Sequence, residues 1–295
     1  MDHVDLTAQV QRILRELGLP HSFLEPVQSF SNGVWLTAEH VVHYHVIGPV
    51  GRLEHEARVA KRLPPEALYP EVVAVGRDAD HDWLVCKRAP GVALSAAWPW
   101  LGLHERRTAI DQLSAALRSV HHSPATDLLP PCLQGGAPVL TRRALADRLR
   151  SLGVAPSLEL FLATDDRPSV MAHGDFNFNQ AIWHEGRVTA LFDLEMSHAE
   201  APDWDLAPFL GFCQNPARAV PEYLEVASRP EDYLDAPLWL REAYPEMFAY
   251  PRLRDRLALH ELVFRSAELI AAPSRCAEIV EAAVDQASAL VKLLR

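Results

Sequence analysis

The chain has 295 residues, 49% apolar and 23% charged, enough for one large domain or two of ordinary size with a proper core. A formal charge of −11 excludes a general nucleic-acid binder, because phosphate contacts need a basic surface. No apolar stretch is long enough to cross a bilayer, so no membrane partner is expected.

The N-terminus, MDHVDLTAQVQRIL, lacks the basic segment and apolar run of a signal peptide, and the expected location is cytoplasmic. Leu6, Val10, Ile13, Leu14 and Leu17 predict a helix over 6–17, stopped by Gly18 and Pro20. SNGVWLTAEHVVHYHV predicts two strands joined near Glu39 and His40. EVVAVGRDADHDWLVCKR repeats that design, with a polar turn over 77–82.

Between the hairpins lies a helix, LEHEARVAKRL. Leu53, Ala60 and Leu63 share one face of it with Glu56 in the middle. Glu54 falls on another side with Arg58 and Lys61, where i,i+4 pairing explains it. A carboxylate on an apolar face needs a partner. APGVAL, with Pro90 and Gly91, reads as a connector.

Beyond it, Ile110, Leu113, Leu117 and Val120 predict a one-faced helix over 105–121, and residues 257–270 and 277–294 repeat the pattern. One hairpin stands out among these helices: AIW, a turn at HEGR, then VTALFD. The expected fold is α+β, with a strand-rich N-terminal lobe (1–88) and a larger helical lobe (89–295). Cys86, Cys132, Cys213 and Cys276 form no CxxC pair and are expected to be buried free thiols.

Residues 172–183, AHGDFNFNQAIW, carry the chemistry. The loop delivers Asp175 and Gln180 to the start of the hairpin, and the returning strand ends at Asp193. A hairpin brings its ends together, so Asp193 is expected beside Gln180 and Asp175. Two acids and an amide on one point suit Mg²⁺, which takes few protein carboxylates and shares its other positions with phosphates and water.

HGDFNFNQ resembles the HGDxxxxN catalytic loop of the aminoglycoside phosphotransferase and choline kinase-like family, and FDLEMSHAEAPDWDLA resembles its IDWEDAxxGDPxxDLA motif. Pro202 and Asp205 fall nine and twelve residues after Asp193, the spacing that family shows. The resemblance implies a two-lobed protein kinase-like fold. It also implies a phosphotransferase using ATP (or GTP) and Mg²⁺ on a small-molecule acceptor such as an antibiotic, sugar or amino alcohol. Asp175 would orient the acceptor hydroxyl (or amine) and take its proton, while Asp193 and Gln180 would hold Mg²⁺. His173 would brace the loop, and Asp205 would tie it to a helix start. The expected assembly is a monomer or dimer.

The resemblance also places the phosphates under QSFSNGVW, through Ser29, Ser31, Asn32 and Gly33, and the adenine edge on main chain near Cys86, Lys87 and Arg88. In kinases a helix Glu holds a third-strand Lys that contacts the phosphates. Glu56 matches the Glu, but this strand reads VVHYHV, with His43 and His45 on one face and no Lys. His43 or His45 is therefore expected to pair with Glu56 and face the phosphates. Gln180 stands where Asn is usual and offers the same amide oxygen on a longer stem.

Acceptor contacts are expected from 215–251, with Tyr223, Tyr233, Trp239 and Tyr244 as walls and Glu222, Asp232 or Asp235 recognising amines or hydroxyls. The two departures also admit a catalytically silent kinase-like binding protein. A third alternative is a metal-dependent hydrolase using His173, Asp175, His184, Asp193 and His198, since imidazole and carboxylate suit zinc or iron.

Overall fold

The computed structural model of the chain describes residues 3–27, 32–46, 50–78, 81–125, 128, 142–153 and 169–295; Ser29, Ser31 and Cys132 lie outside these. Helix α1 (His3–Glu16) precedes strands β1 (Glu25–Val27), β2 (Asn32–Leu36) and β3 (His40–His45), then helix α2 (Arg52–Ala60), then β4 (Val72–Asp78) and β5 (His81–Lys87). The strands form one antiparallel sheet in the order β1-β2-β3-β5-β4.

Alternation along β3 lets the sheet bury both faces. Val42 and Tyr44 pack with Leu6, Val10, Ile13 and Leu14 of α1. On the opposite face Leu53 and Ala57 of α2 pack against Leu84 and Cys86 of β5. The Thr37 hydroxyl closes the β2–β3 turn by accepting the N–H groups of Glu39 and His40.

Helix α2 follows Gly51, which has φ 100° and no side chain to cap it. Asp82, buried on β5, supplies the cap instead, its Oδ2 accepting the N–H of Leu53 at 2.7 Å and of Glu54 at 3.2 Å. The helix stops at Ala60, short of the predicted Leu63, because Pro64 and Pro65 follow and the residue before a proline avoids the α region. Glu54 is exposed as expected, but its partner at 2.6 Å is Arg77 of β4 and not Arg58.

Strand β6 (Val92–Ala93) leads through α3 (Leu94–Ala97) to α4 (Leu103–His121), which buries the predicted stripe of Ile110, Leu113, Leu117 and Val120. Next come α5 (Arg142–Leu152), β7 (Val170–Ala172), β8 (Ala181–His184), β9 (Arg187–Leu191) and β10 (His198–Glu200). The β8–β9 turn has positive φ at both Glu185 (46°) and Gly186 (83°), the primed turn that matches strand twist. Strand β6 adds to this hairpin in the order β6-β8-β9, stitching the connector to it, and β10 pairs with β7.

Six helices complete the chain: α6 (Leu206–Gln214), α7 (Glu222–Glu225), α8 (Ala236–Ala243), α9 (Leu253–Phe264), α10 (Ser266–Ala271) and α11 (Cys276–Lys292). The helix predicted over 257–270 is broken at Arg265, where the Ser266 hydroxyl donates to the Val263 carbonyl. Cys86, Cys213 and Cys276 are buried free thiols. No helix among the described residues is long and apolar enough to cross a membrane.

Candidate active site

The segment His173-Gly174-Asp175 leaves β7 and is fixed from behind by Asp205. That carboxylate is fully buried at the N-terminus of α6, yet it caps no helix N–H. It accepts instead the N–H groups of His173 and Gly174, each at 2.8 Å, and His121 Nε2 at 2.9 Å. Burial alone would raise its pKa, but the hydrogen bond and charge of His121, with His173 and the Gly174 N–H, hold it below the usual value. Gly174 has φ 94°, and a Cβ there would lie 2.3 Å from the Met196 carbonyl, so only glycine fits. His173 is fully buried and pushed down to about 4 by desolvation, so it is neutral, and its Nδ1 lies 3.4 Å from the Asp175 N–H.

Asp175 is half-buried and braced on both oxygens: Asn177 Nδ2 donates to Oδ1 at 3.1 Å and Gln180 Nε2 to Oδ2 at 2.7 Å. Desolvation lifts its pKa to about 6 despite those two bonds. The hairpin closes as its sequence requires, with Ala181 opposite Leu191 and the Phe192 N–H donating to the Gln180 carbonyl at 2.9 Å. Asp193 follows at once, in a left-handed conformation with φ 67°. Its carboxylate accepts no hydrogen bond among the described residues. Burial raises its pKa well above the ordinary value, helped by the charges of Glu195, Glu56 and Asp175, while Arg52 opposes them. An unbonded carboxylate among three other acids fits a divalent cation.

The expected pairing of His43 or His45 with Glu56 does not form. Glu56 is buried, and its Oε1 accepts the Tyr69 hydroxyl at 2.8 Å and the Leu194 N–H at 2.9 Å. Desolvation, then the charge of Glu195, lifts its pKa to about 7. His45 is also buried, but it lies beside Asp82 on the neighbouring strand, Nδ1 to Oδ1 3.5 Å. His43 is half-buried and desolvation pushes it down to about 4, against the imidazolium expected there. A period-two strand puts both histidines on the α2 side of the sheet, but the helix delivers Glu56 past them to the turn after Asp193.

The main chain near the connector is also partly committed. Cys86 sits in mid-ladder opposite Val41 and Val72. The Lys87 N–H donates to Glu71 and the Arg88 N–H to Glu39, so neither is free for an adenine edge. The Lys87 side chain is exposed on Glu71. Asn32 is buried and donates to Glu195 at 3.0 Å.

None of the seven acceptor residues expected from 215–251, Glu222 and Tyr244 included, lines the cavity beside Asp175. Tyr223 and Asp235 are exposed, and Tyr233 is fully buried, stacked on Trp98 at 5.4 Å. Asp232 is tied to Arg106 at 3.2 Å, and Trp239 packs under Arg107. Tyr233 and Tyr244 went to the core. The cavity that reaches Asp175, about 580 Å³, is lined instead by Asn177, by Gln214 at the end of α6, by Asn215 and Arg218 after it, and by Gln286 of α11. Gln286 and Gln214 are hydrogen-bonded at 2.9 Å.

The five residues of the alternative metal site do not assemble. His184 ends β8 at the far end of the hairpin near Glu185, and His198 turns back on the Met196 carbonyl. Among the described residues no group of three His, Cys, Asp or Glu could hold a metal ion in that way. Four contributors escaped sequence reasoning: Arg52, Tyr69, His121 and Glu195. Two carried a signal. Arg52 lies four residues before Glu56, on the same helical face, and Glu195 is the acid of FDLE.

Against known proteins, the model of the phosphotransferase enzyme family (APH) matches residues 24–244. No curated protein matches. Among solved structures, the aminoglycoside phosphotransferase APH(4)-Ia superposes with a TM-score of 0.62 at 16% identity, covering 98% of this chain and 99% of that one. A thermostable mutant of that enzyme, in ternary complex with ADP and hygromycin B, gives 0.59 at 16% identity, covering 96% and 97%. APH(3'')-Id from Streptomyces rimosus gives 0.58 at 19% identity, covering 88% and 98%. At these identities the likeness shows a shared protein kinase-like fold.

Proposed function

The chain belongs to the phosphotransferase enzyme family and is a small-molecule kinase; we propose that it moves the γ-phosphoryl group of ATP (or GTP), with Mg²⁺, to a hydroxyl (or amine) of an acceptor seated beside Asp175. The observation that carries this is Asp175 itself, which lines the 580 Å³ cavity with a pKa near 6 and whose charge is felt at the unbonded Asp193. A base with such a pKa is ionised at neutral pH yet still basic enough to take a proton from the acceptor as the bond forms.

The roles follow from a loose transition state in which positioning and charge neutralisation do most of the work. Asp193 and the amide oxygen of Gln180 would hold Mg²⁺, whose positive charge would offset that of the phosphates. Asn177 and the Gln180 N–H keep Asp175 aimed at the acceptor, and Asp205 fixes the loop that carries it. The nucleotide lobe would comprise residues 1–88 and the acceptor lobe 89–295. The hairpin through Asn32, with Ser29 and Ser31, would cover the phosphates. At the connector the Ala89 N–H, which no carbonyl takes among the described residues, replaces those of Lys87 and Arg88 as the adenine donor.

The described cavity lining carries four amides, one cation (Arg218) and one carboxylate (Asp175). A polycation needs several acids, whereas amides serve hydroxyls as both donor and acceptor. The acceptor is therefore a hydroxylated molecule that is neutral or carries an anionic group. Neither nucleic acid nor a membrane is a partner in this reading, and the protein acts in the cytoplasm as a monomer or dimer. A screen of neutral, acidic and polycationic acceptors with ATP and Mg²⁺, run against Asp175→Asn, tests it. Equal trace turnover by both proteins would defeat the enzyme and leave a silent binding protein.

A further inference from the structure

Helix α2 opens with Arg52, which is only 8% exposed. Its Nη2 donates to Glu195 at 2.5 Å and lies 3.3 Å from Met196 Sδ. Its Nε and Nη1 are buried and have no hydrogen-bond partner among the described residues. A guanidinium is always charged and carries five donors, and each donor buried without a partner costs free energy. The group that would satisfy them is an anion with more than one acceptor oxygen.

The place is informative. Glu195 and Met196 follow Asp193 by two and three residues, and the charge of Arg52 is felt at Asp193. Asn32, which opens β2, bonds the second oxygen of Glu195 at 3.0 Å. One carboxylate thus gathers the start of α2, the first hairpin and the turn after Asp193. The other candidate cations and imidazoles are engaged elsewhere or, like His43, kept neutral by burial. Arg77 holds Glu54, Lys87 holds Glu71, Arg88 donates to the Thr37 carbonyl, and His45 lies on Asp82. Glu56 holds the chain after Asp193 and has no lysine to position.

We propose that Arg52 grips the nucleotide phosphates in place of the strand lysine that this chain lacks, donating from Nε and Nη1 while Nη2 keeps Glu195. This rests on the phosphotransferase reading above. A charge delivered from the helix start compensates for a strand that carries only histidines. The planar guanidinium holds Glu195 with one edge and leaves other donors for phosphate oxygens.

The test is an equilibrium titration of the wild type, Arg52→Gln and the double variant Arg52→Gln/Glu195→Gln with ADP and with adenosine, in EDTA so that no metal contributes. The double variant removes both members of the buried pair and leaves no lone charge in the fold. Thermal unfolding of each protein accompanies the titration. Adenosine should bind all three alike, while ADP weakens roughly 10- to 100-fold in both variants, as expected for lost charge-assisted hydrogen bonds. ADP held by the double variant as tightly as by the wild type overturns the assignment. So does a wild type that binds ADP no better than adenosine, although nucleotide binding would then survive. A wild type that takes up neither ligand overturns the phosphotransferase reading, and the role of Arg52 with it.

Discussion

The Glu56 carboxylate accepts the backbone N–H of Leu194 at 2.9 Å, joining the helix after the first hairpin to the residue that follows Asp193. A side chain that the fold could have used to hold a lysine instead fixes the strained turn that presents the candidate metal ligand. Asp193 keeps φ at 67° because this bond and the hairpin hold the chain on either side of it.

Glu56→Gln should stabilise the protein at alkaline pH. The folded pKa, near 7, lies above the ordinary 4.5, so wild-type stability falls as pH rises through that window and is level beyond it. The variant keeps an oxygen for Tyr69 and Leu194 and does not ionise. It should gain about 3 kcal/mol over the wild type between pH 4.5 and pH 8, measured by urea unfolding. An unchanged difference across that range would mean that Glu56 is not desolvated.

Turnover should depend on an ionised Asp175. With its pKa near 6, kcat/KM should rise about tenfold per unit below pH 6 and flatten above it. Asp175→Asn should lower kcat by roughly 10²- to 10⁴-fold and remove that limb, with ADP affinity retained. A limb that persists in the variant belongs to another group.

Asp205→Ala should cost about 3–5 kcal/mol, because it strands buried His121 and two loop N–H groups. The folded pKa of Asp205 is depressed, so its contribution is present above the ordinary 3.8 and is lost as pH falls through the folded value. The gap between wild type and variant should therefore shrink in strong acid. Denaturant midpoints at pH 7 and at acid pH make the comparison.

Mg²⁺ should raise the Tm of the ADP complex, because a cation relieves the repulsion around Asp193. EDTA should reverse the shift, and Asp193→Asn should abolish it. Scanning calorimetry with ADP present throughout decides the point, and a metal-induced shift of full size in the variant would rule Asp193 out as a ligand.

Gln286→Ala and Arg218→Ala should raise KM for the acceptor severalfold while leaving KM for ATP alone, since both line the cavity next to Asp175. The larger effect of Arg218→Ala is expected on acceptors that carry an anionic group. Polycationic acceptors should be turned over poorly by the wild type, and efficient turnover of them would reverse the inferred acceptor chemistry.

Much of this is legible in the sequence. Period-two alternation in β3 and period-3.6 stripes in α1 and α4 are local properties, and burial of Val42, Tyr44, Ile110 and Leu113 follows from them. The meeting of Gln180 with the Asp193 strand was legible for the same reason, because a hairpin closes on itself. The burial of Glu56 follows likewise from its place on the apolar face of α2.

What the one-dimensional pattern settled, then, was which residues form elements, which faces are buried and which loop carries the acids, since those depend on spacing within a few turns. Which buried charge meets which was left to the tertiary structure: Glu56 with Tyr69 and Leu194, His45 with Asp82, Arg52 with Glu195, and amides from α6 and α11 around the cavity. Charge pairing is decided by distance in space between elements far apart in the chain. A periodicity can say that a carboxylate is buried, but only packing says what lies opposite it.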